Sequence, residues 1–166
     1  MATHGPAFVV GVTELLRHPG TRREVVVRAP LDDLSLSSSR VVEGSDVEAR
    51  LVLEALSDTA LTATGTITAE WAGECRRCLT AVEGSLETHV QEIFESRPVE
   101  GETYRLAVDH VDLAPMIRDA VLLALPLAPL CAEACAGPEP EDHPLGTEDQ
   151  PVPDDRWAAL KELKFD

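Results

Sequence analysis

The residues whose type and spacing carry chemistry in this 166-residue chain are four cysteines, arranged as two short pairs: Cys75-Arg76-Arg77-Cys78 and Cys131-Ala132-Glu133-Ala134-Cys135. Thiolates two to four residues apart on tight turns are what a tetrahedral zinc site takes from a fold, and both spacings qualify. Two other readings fit the same residues. A C-x-x-C can be a thioredoxin-like redox pair, which needs the motif at a helix N-terminus in a βαβ context. Alternatively, the pairs are unrelated free thiols that pack as small hydrophobes, which the 52 residues between them would allow. If the four come together, the cofactor they would take is one structural zinc, with Cys75, Cys78, Cys131 and Cys135 as ligands. His89, on the outer face of its strand, reads as a surface residue, and His143 is a weaker fifth candidate.

The elements that must position these cysteines can be read from hydrophobic periodicity. Val47, Ala49, Leu51, Leu53 and Ala55 alternate with mostly polar residues. After a turn at Ser57-Asp58, Leu61, Ala63, Gly65, Ile67, Ala69 and Trp71 alternate with Thr62, Thr64, Thr66, Thr68 and Glu70. A period of two over such lengths predicts two long antiparallel strands with one face on a core. The second ends beside Cys75. Val82, Leu86, Val90 and Phe94 supply a third long strand, unless that run is helical. Residues 8–16 begin as a strand and end in a helical turn closed by His18-Pro19-Gly20, and residues 24–28 read as a short strand. Leu113, Ile117, Ala120, Val121 and Ala124 recur at helical spacing behind Asp112 as N-cap, with Pro115 in the first turn. Pro126 and Pro129 then hold residues 125–130 extended, since proline fixes its own φ and restricts the residue before it. Cys131 thus stands at the end of a stiff arm.

The expected fold is α+β: a mainly antiparallel sheet, as a meander or a partly closed barrel, with one core helix and a short C-terminal helix. Residues 1–136 form the domain carrying the cysteine cluster. Residues 137–153 read as an acidic, proline-rich flexible linker, because 137–155 holds five prolines and seven acids and almost nothing to bury. Residues 154–166 begin with acids, end near lysines and set Trp157, Leu160 and Leu163 on one side, which predicts a short docking helix.

Composition narrows the function classes. Thirty acidic against fourteen basic residues give a formal charge of −16, which opposes binding to polyanions at long range. Affinity for nucleic acid rests largely on Lys and Arg displacing counterions, so DNA is not an expected partner, and RNA contact requires a local basic patch or a basic protein intermediary. Arg22-Arg23 and Arg76-Arg77 are the candidate basic pairs; ordinary solvated charge is the alternative. The N-terminus lacks the basic and apolar segments of a secretory signal, and the longest apolar stretch, 120–130, is interrupted by two prolines and is too short to span a bilayer. The expectation is a cytoplasmic protein with no membrane contact. There is no phosphate-binding glycine loop, no G-x-S-x-G elbow and no H-E-x-x-H helix, so an enzymatic reading has no residue to rest on.

Several segments together resemble the YceD-like large ribosomal RNA subunit accumulation proteins. They are Leu15-Leu16-Arg17-His18-Pro19-Gly20, Cys75-Arg76-Arg77-Cys78-Leu79, the run from Val111-Asp112-Leu113 through Leu125-Pro126-Leu127-Ala128-Pro129-Leu130-Cys131, and Asp155-Arg156-Trp157-Ala158-Ala159-Leu160-Lys161. Many relatives carry a further cysteine pair after the position of Gly137, where this chain has Pro138-Glu139-Pro140-Glu141. The resemblance implies a non-enzymatic role in accumulation or processing of large-subunit ribosomal RNA, with ribosomal RNA or precursor large subunits as partners, reached directly or through a basic ribosomal protein. In that setting Arg22, Arg23, Arg76, Arg77 and Trp157 are the candidate RNA or partner contacts. The alternative function is an acidic chaperone or adaptor for a basic protein unrelated to ribosomes.

Overall fold

A computed structural model describes residues 6–138 of the chain. The linker beyond 138 and the C-terminal helix with Trp157 lie outside the described residues. The two long alternating runs are strands as expected: β4 covers Asp46–Ala55 and β5 covers Ala60–Glu74, after β1 (Val9–Gly11), β2 (Arg22–Pro30) and β3 (Ser39–Val41). The third run is also a strand, β6 (Ala81–Glu95), followed by β7 (Tyr104–Arg105) and β8 (His110–Asp112). Two α-helices are described, α1 (Thr13–Leu16) and α2 (Ala114–Ala124), after a single 3-10 turn at Pro6–Phe8.

The main sheet runs in the order β2-β4-β5-β6-β7, with β3 pairing β5 beyond the end of β4. Its long pairings are antiparallel, and only the short β6–β7 contact is parallel. The meander reading therefore holds, whereas the partly closed barrel does not: among the described residues the sheet stays open between β2 and β7. Its register sends Val47, Ala49, Leu51, Leu53, Leu61, Ala63, Ile67, Leu86, Val90 and Phe94 to one buried face. Against that face pack Met116, Ile117 and Val121 of α2 and Leu15 and Leu16 of α1. The other face carries the threonines of β5, which explains why the alternation was so regular: one side of the strand packs and the other is solvated.

At the centre of this sheet the backbones of β4 and β5 approach so closely at Gly65 that a Cβ there would lie 2.0 Å from the Arg50 carbonyl oxygen. Glycine is needed for close approach, not for an unusual φ. A small second sheet pairs β1 with β8 and ties the start of the chain to the entrance of α2. The N-cap of α2 is Leu113, without a side-chain cap, and not Asp112 as expected; Asp112 stands one residue earlier, where its Oδ1 accepts the backbone N–H of Ala114 at 3.0 Å.

The arm after α2 is fixed by contacts that sequence periodicity does not announce. Leu125 is extended (φ −61°, ψ 137°). The hydroxyl of Ser39, on β3, donates to the Pro126 carbonyl at 2.7 Å, and that of Ser38 to the Leu127 carbonyl at 2.7 Å. The Arg76 N–H donates to the Pro129 carbonyl at 2.9 Å. The arm is thereby strapped across the end of β5, and Cys131 is delivered to Cys75 and Cys78.

Candidate metal centre

Both cysteine pairs sit in turns built by backbone hydrogen bonds. In the first, the Leu79 N–H donates to the Cys75 carbonyl at 2.9 Å and the Cys75 N–H to the Thr80 carbonyl at 2.8 Å. Leu79 takes φ +63° to close this knuckle, a left-handed conformation that costs a non-glycine residue about 1–2 kcal/mol. In the second, the Cys135 N–H donates to the Ala132 carbonyl at 3.1 Å. The two turns are latched by the Arg77 guanidinium, which donates to the Cys135 carbonyl at 2.6 Å.

The result brings all four sulfurs within 4.8 Å of one another. Cys75 Sγ lies 3.8 Å from Cys135 Sγ, and Cys78 Sγ lies 3.6 Å from Cys131 Sγ. A zinc ion with Zn–S bonds of about 2.3 Å makes a sulfur tetrahedron with edges of about 3.8 Å. The two contact pairs match that edge, and the widest separation exceeds it by about 1 Å, within reach of small side-chain rotations. The donor set is all-thiolate and complete without the further cysteine pair that the chain lacks, so these residues fit a structural zinc. Two unrelated thiol pairs do not describe this geometry.

The electrostatics are uneven around the cluster. Cys75 is fully buried, and the backbone N–H of Cys78, followed by that of Cys131, holds its thiol down at about 6. Cys78 is lowered chiefly by the Thr80 hydroxyl, 3.0 Å from its sulfur. Cys131, the exposed member, is pushed up to about 12 by sharing hydrogen bonds with the Cys135 and Cys78 thiols. The thiol held lowest is that of the buried Cys75 and the exposed Cys131 is held high, with the half-buried Cys78 lowered between them. A thioredoxin-like pair needs its motif at a helix N-terminus, whereas this one lies between antiparallel strands, which counts against the thioredoxin-like reading.

The two arginine pairs are not brought together. Arg22 begins β2 and pairs with Glu54 at 2.9 Å, while Arg23 donates to the Gly11 carbonyl at 2.6 Å. The register runs from Arg22 through Glu54 to Thr62 on β5, fourteen residues before Arg76, which at about 3.3 Å per residue puts the pairs roughly 40 Å or more apart. Arg76 and Arg77 flank the metal centre, exposed, and have no ion-pair partner among the described residues. Sequence reasoning missed Thr80, Leu79, Ser38 and Ser39 as parts of the site. Only Thr80, two residues past the second cysteine of the knuckle, offers a signal of the kind spacing can supply.

The profile of the family described as large ribosomal RNA subunit accumulation protein YceD matches residues 63–164, a span that contains both cysteine pairs and the arm. The chain belongs to this family. Uncharacterized proteins of Mycobacterium tuberculosis and Mycobacterium bovis are each 32% identical to it over 181 aligned positions, covering 96% of this chain and 86% of theirs. One from Mycobacterium leprae is 34% identical over 137 positions, covering 78% of this chain and 63% of its own. No solved structure matches it. The family is named for an effect on ribosomal RNA accumulation and not for a catalysed reaction. No helix among the described residues is long and apolar enough to cross a membrane.

Proposed function

We propose that this chain is a non-enzymatic, cytoplasmic factor in large ribosomal subunit assembly that supports accumulation or processing of large-subunit ribosomal RNA. The observation that carries the reading is the family match over residues 63–164. Cys75, Cys78, Cys131 and Cys135 hold one structural zinc, which clasps the end of β5 to the arm following α2. With a charge of −16, and with Arg22 and Arg23 engaged by their own protein, the route to ribosomal RNA runs chiefly through a basic ribosomal protein. Arg76 and Arg77 are the groups placed to touch RNA beside the zinc.

Depletion of the protein in its own host, followed by gradient sedimentation of the lysate, tests this role. The expected result is a lowered ratio of large- to small-subunit ribosomal RNA, with the protein itself sedimenting among precursor large-subunit particles. A normal ratio together with absence from those fractions refutes it. Salt-sensitive capture of basic proteins that are all non-ribosomal would replace it with the adaptor role.

A further inference from the structure

β6 is the longest exposed edge in the described fold. It pairs with β5 along its whole length from Ala81 to Glu95, yet on its other side only Phe94 and Glu95 are paired, with Tyr104 and Arg105 of β7. Among the described residues, positions 81–93 therefore present a row of backbone N–H and C=O groups with no strand beside them. At about 3.4 Å per residue this edge is roughly 40 Å long, and it contains no proline and no lysine, two of the devices by which edges are commonly blocked.

Its charge is of one sign. Residues 81–95 hold Glu83, Glu87, Glu92 and Glu95 and neither Lys nor Arg. Glu83 and Glu87 are exposed, on the sheet face that carries the threonines of β5, opposite Ala72 and Thr68. Glu92 instead turns to the face of Leu86, Val90 and Phe94, where with Glu102 and Asp119 it lines a cavity of about 240 Å³ closed by Thr103 and Tyr104. An apolar strand would bring nothing to neutralise these carboxylates. A second copy of this chain would set glutamates against glutamates across the new ladder, which is destabilising.

We infer that the free edge of β6 takes up an extended, lysine- or arginine-rich segment of a partner protein as an added β-strand. Backbone hydrogen bonds along 81–93 supply the affinity, as in other strand additions. Glu83 and Glu87 pair with basic side chains on the outer face, and the cavity lined by Glu92, Glu102 and Asp119 receives one on the inner face. The inference names the chemistry of the partner in the assembly role and rests on that reading, but its test reads peptide binding and not ribosomal RNA, so either can fail alone.

The probe is a fluorescein-labelled 12-residue peptide alternating lysine with valine, titrated into the full chain at near-physiological salt and read by anisotropy. A copy of the peptide N-methylated at alternate residues keeps the charge but cannot complete the ladder. The expected result is saturable binding, at least ten-fold weaker for the N-methylated peptide and at least ten-fold weaker for Glu83→Gln/Glu87→Gln/Glu92→Gln, whose fold is checked by its melting curve. Hydrogen exchange at 82–92 should slow on binding. Equal affinity for both peptides reduces the effect to diffuse charge attraction and overturns the inference. So does protection of 82–92 in the free protein equal to that of β5, which would mean that another part of the chain or a second copy already covers the edge.

Discussion

Replacing Cys131 by serine removes one of the four proposed zinc ligands at the exposed side of the cluster and leaves the packing of the core untouched. The cost follows from the length of chain that the site closes. Cys78 and Cys131 are 53 residues apart in sequence, and closing a loop of that length in the unfolded chain corresponds to about 4 kcal/mol at 25 °C if the metal clip acts as a covalent cross-link does. Part of that tie survives without zinc. The hydrogen bonds from Ser38, Ser39 and Arg76 still hold the arm, each worth about 1 kcal/mol, so the net loss is about 1–4 kcal/mol. For a domain of this size that lowers the melting temperature by roughly 3–12 °C. Elemental analysis of protein purified without a metal-chelating tag should find one zinc per chain in the native sequence and close to none in Cys131→Ser. A strong chelator should lower the melting temperature of the native chain to near that of the variant and leave the variant unchanged. A native chain without zinc, or one whose melting curve ignores the chelator, refutes the clasp; so does a Cys131→Ser variant that keeps its zinc.

Ser39 is 3% exposed and its hydroxyl is the hydrogen-bond donor to Pro126, so Ser39→Ala leaves a carbonyl unpaired and should cost about 1–3 kcal/mol, while speeding zinc loss to a chelator; unchanged release kinetics would show that the arm does not position Cys131. Gly65→Ala places a Cβ against backbone that cannot move without parting β4 from β5 and should destabilise by about 3 kcal/mol or prevent folding, which a denaturant titration reads; a loss below about 1 kcal/mol would contradict the close approach. Tyr104 is the single tyrosine of the chain; burial first, then its hydrogen bond to Asp119 at 2.9 Å, raise its phenol well above the usual value. The folded state therefore keeps a proton that the unfolded state gives up near pH 10, so stability is fully present below that pH and falls as pH rises beyond it. Ultraviolet titration should show tyrosinate appearing together with unfolding, and reversible ionisation at pH 10 in a folded protein would disprove the burial.

The parts of this molecule that were legible in the sequence are those where one face of a long element is buried. β4, β5 and β6 repeat their apolar residues over ten to fifteen positions, enough to fix both the strand and its inward face. α2 was legible through Ile117 and Val121 with Asp112 before them. The short strands β3, β7 and β8 run two or three residues, too few for any period to register, and β2 extends beyond 24–28 because β4 supplies partners along its full length. The cysteine pairs announced their own turns, but not that they meet. Their meeting depends on Ser38 and Ser39, in a serine-rich stretch without hydrophobic periodicity, reaching the carbonyls of the proline arm.

The placement of charge bears on how such a protein could work beside ribosomal RNA. Its arginines on β2 are spent on Glu54, Asp46 and a backbone carbonyl, leaving the glutamates of β6 without basic neighbours on their own strand. At the knuckle Arg76 stands exposed and Arg77 latches the two cysteine turns. Zinc binding would add two positive charges to that spot while the four thiolates it needs contribute four negative ones, so the occupied centre carries a net −2 offset by the two arginines. The knuckle is then close to neutral, and the acidic edge some way along β6 from it dominates the local field. A molecule charged in this way is repelled by naked RNA and attracted to the basic proteins that coat it. That makes competition with RNA for a basic segment, more than capture of RNA itself, the physical basis on which the β6 edge and the proposed assembly role fit together.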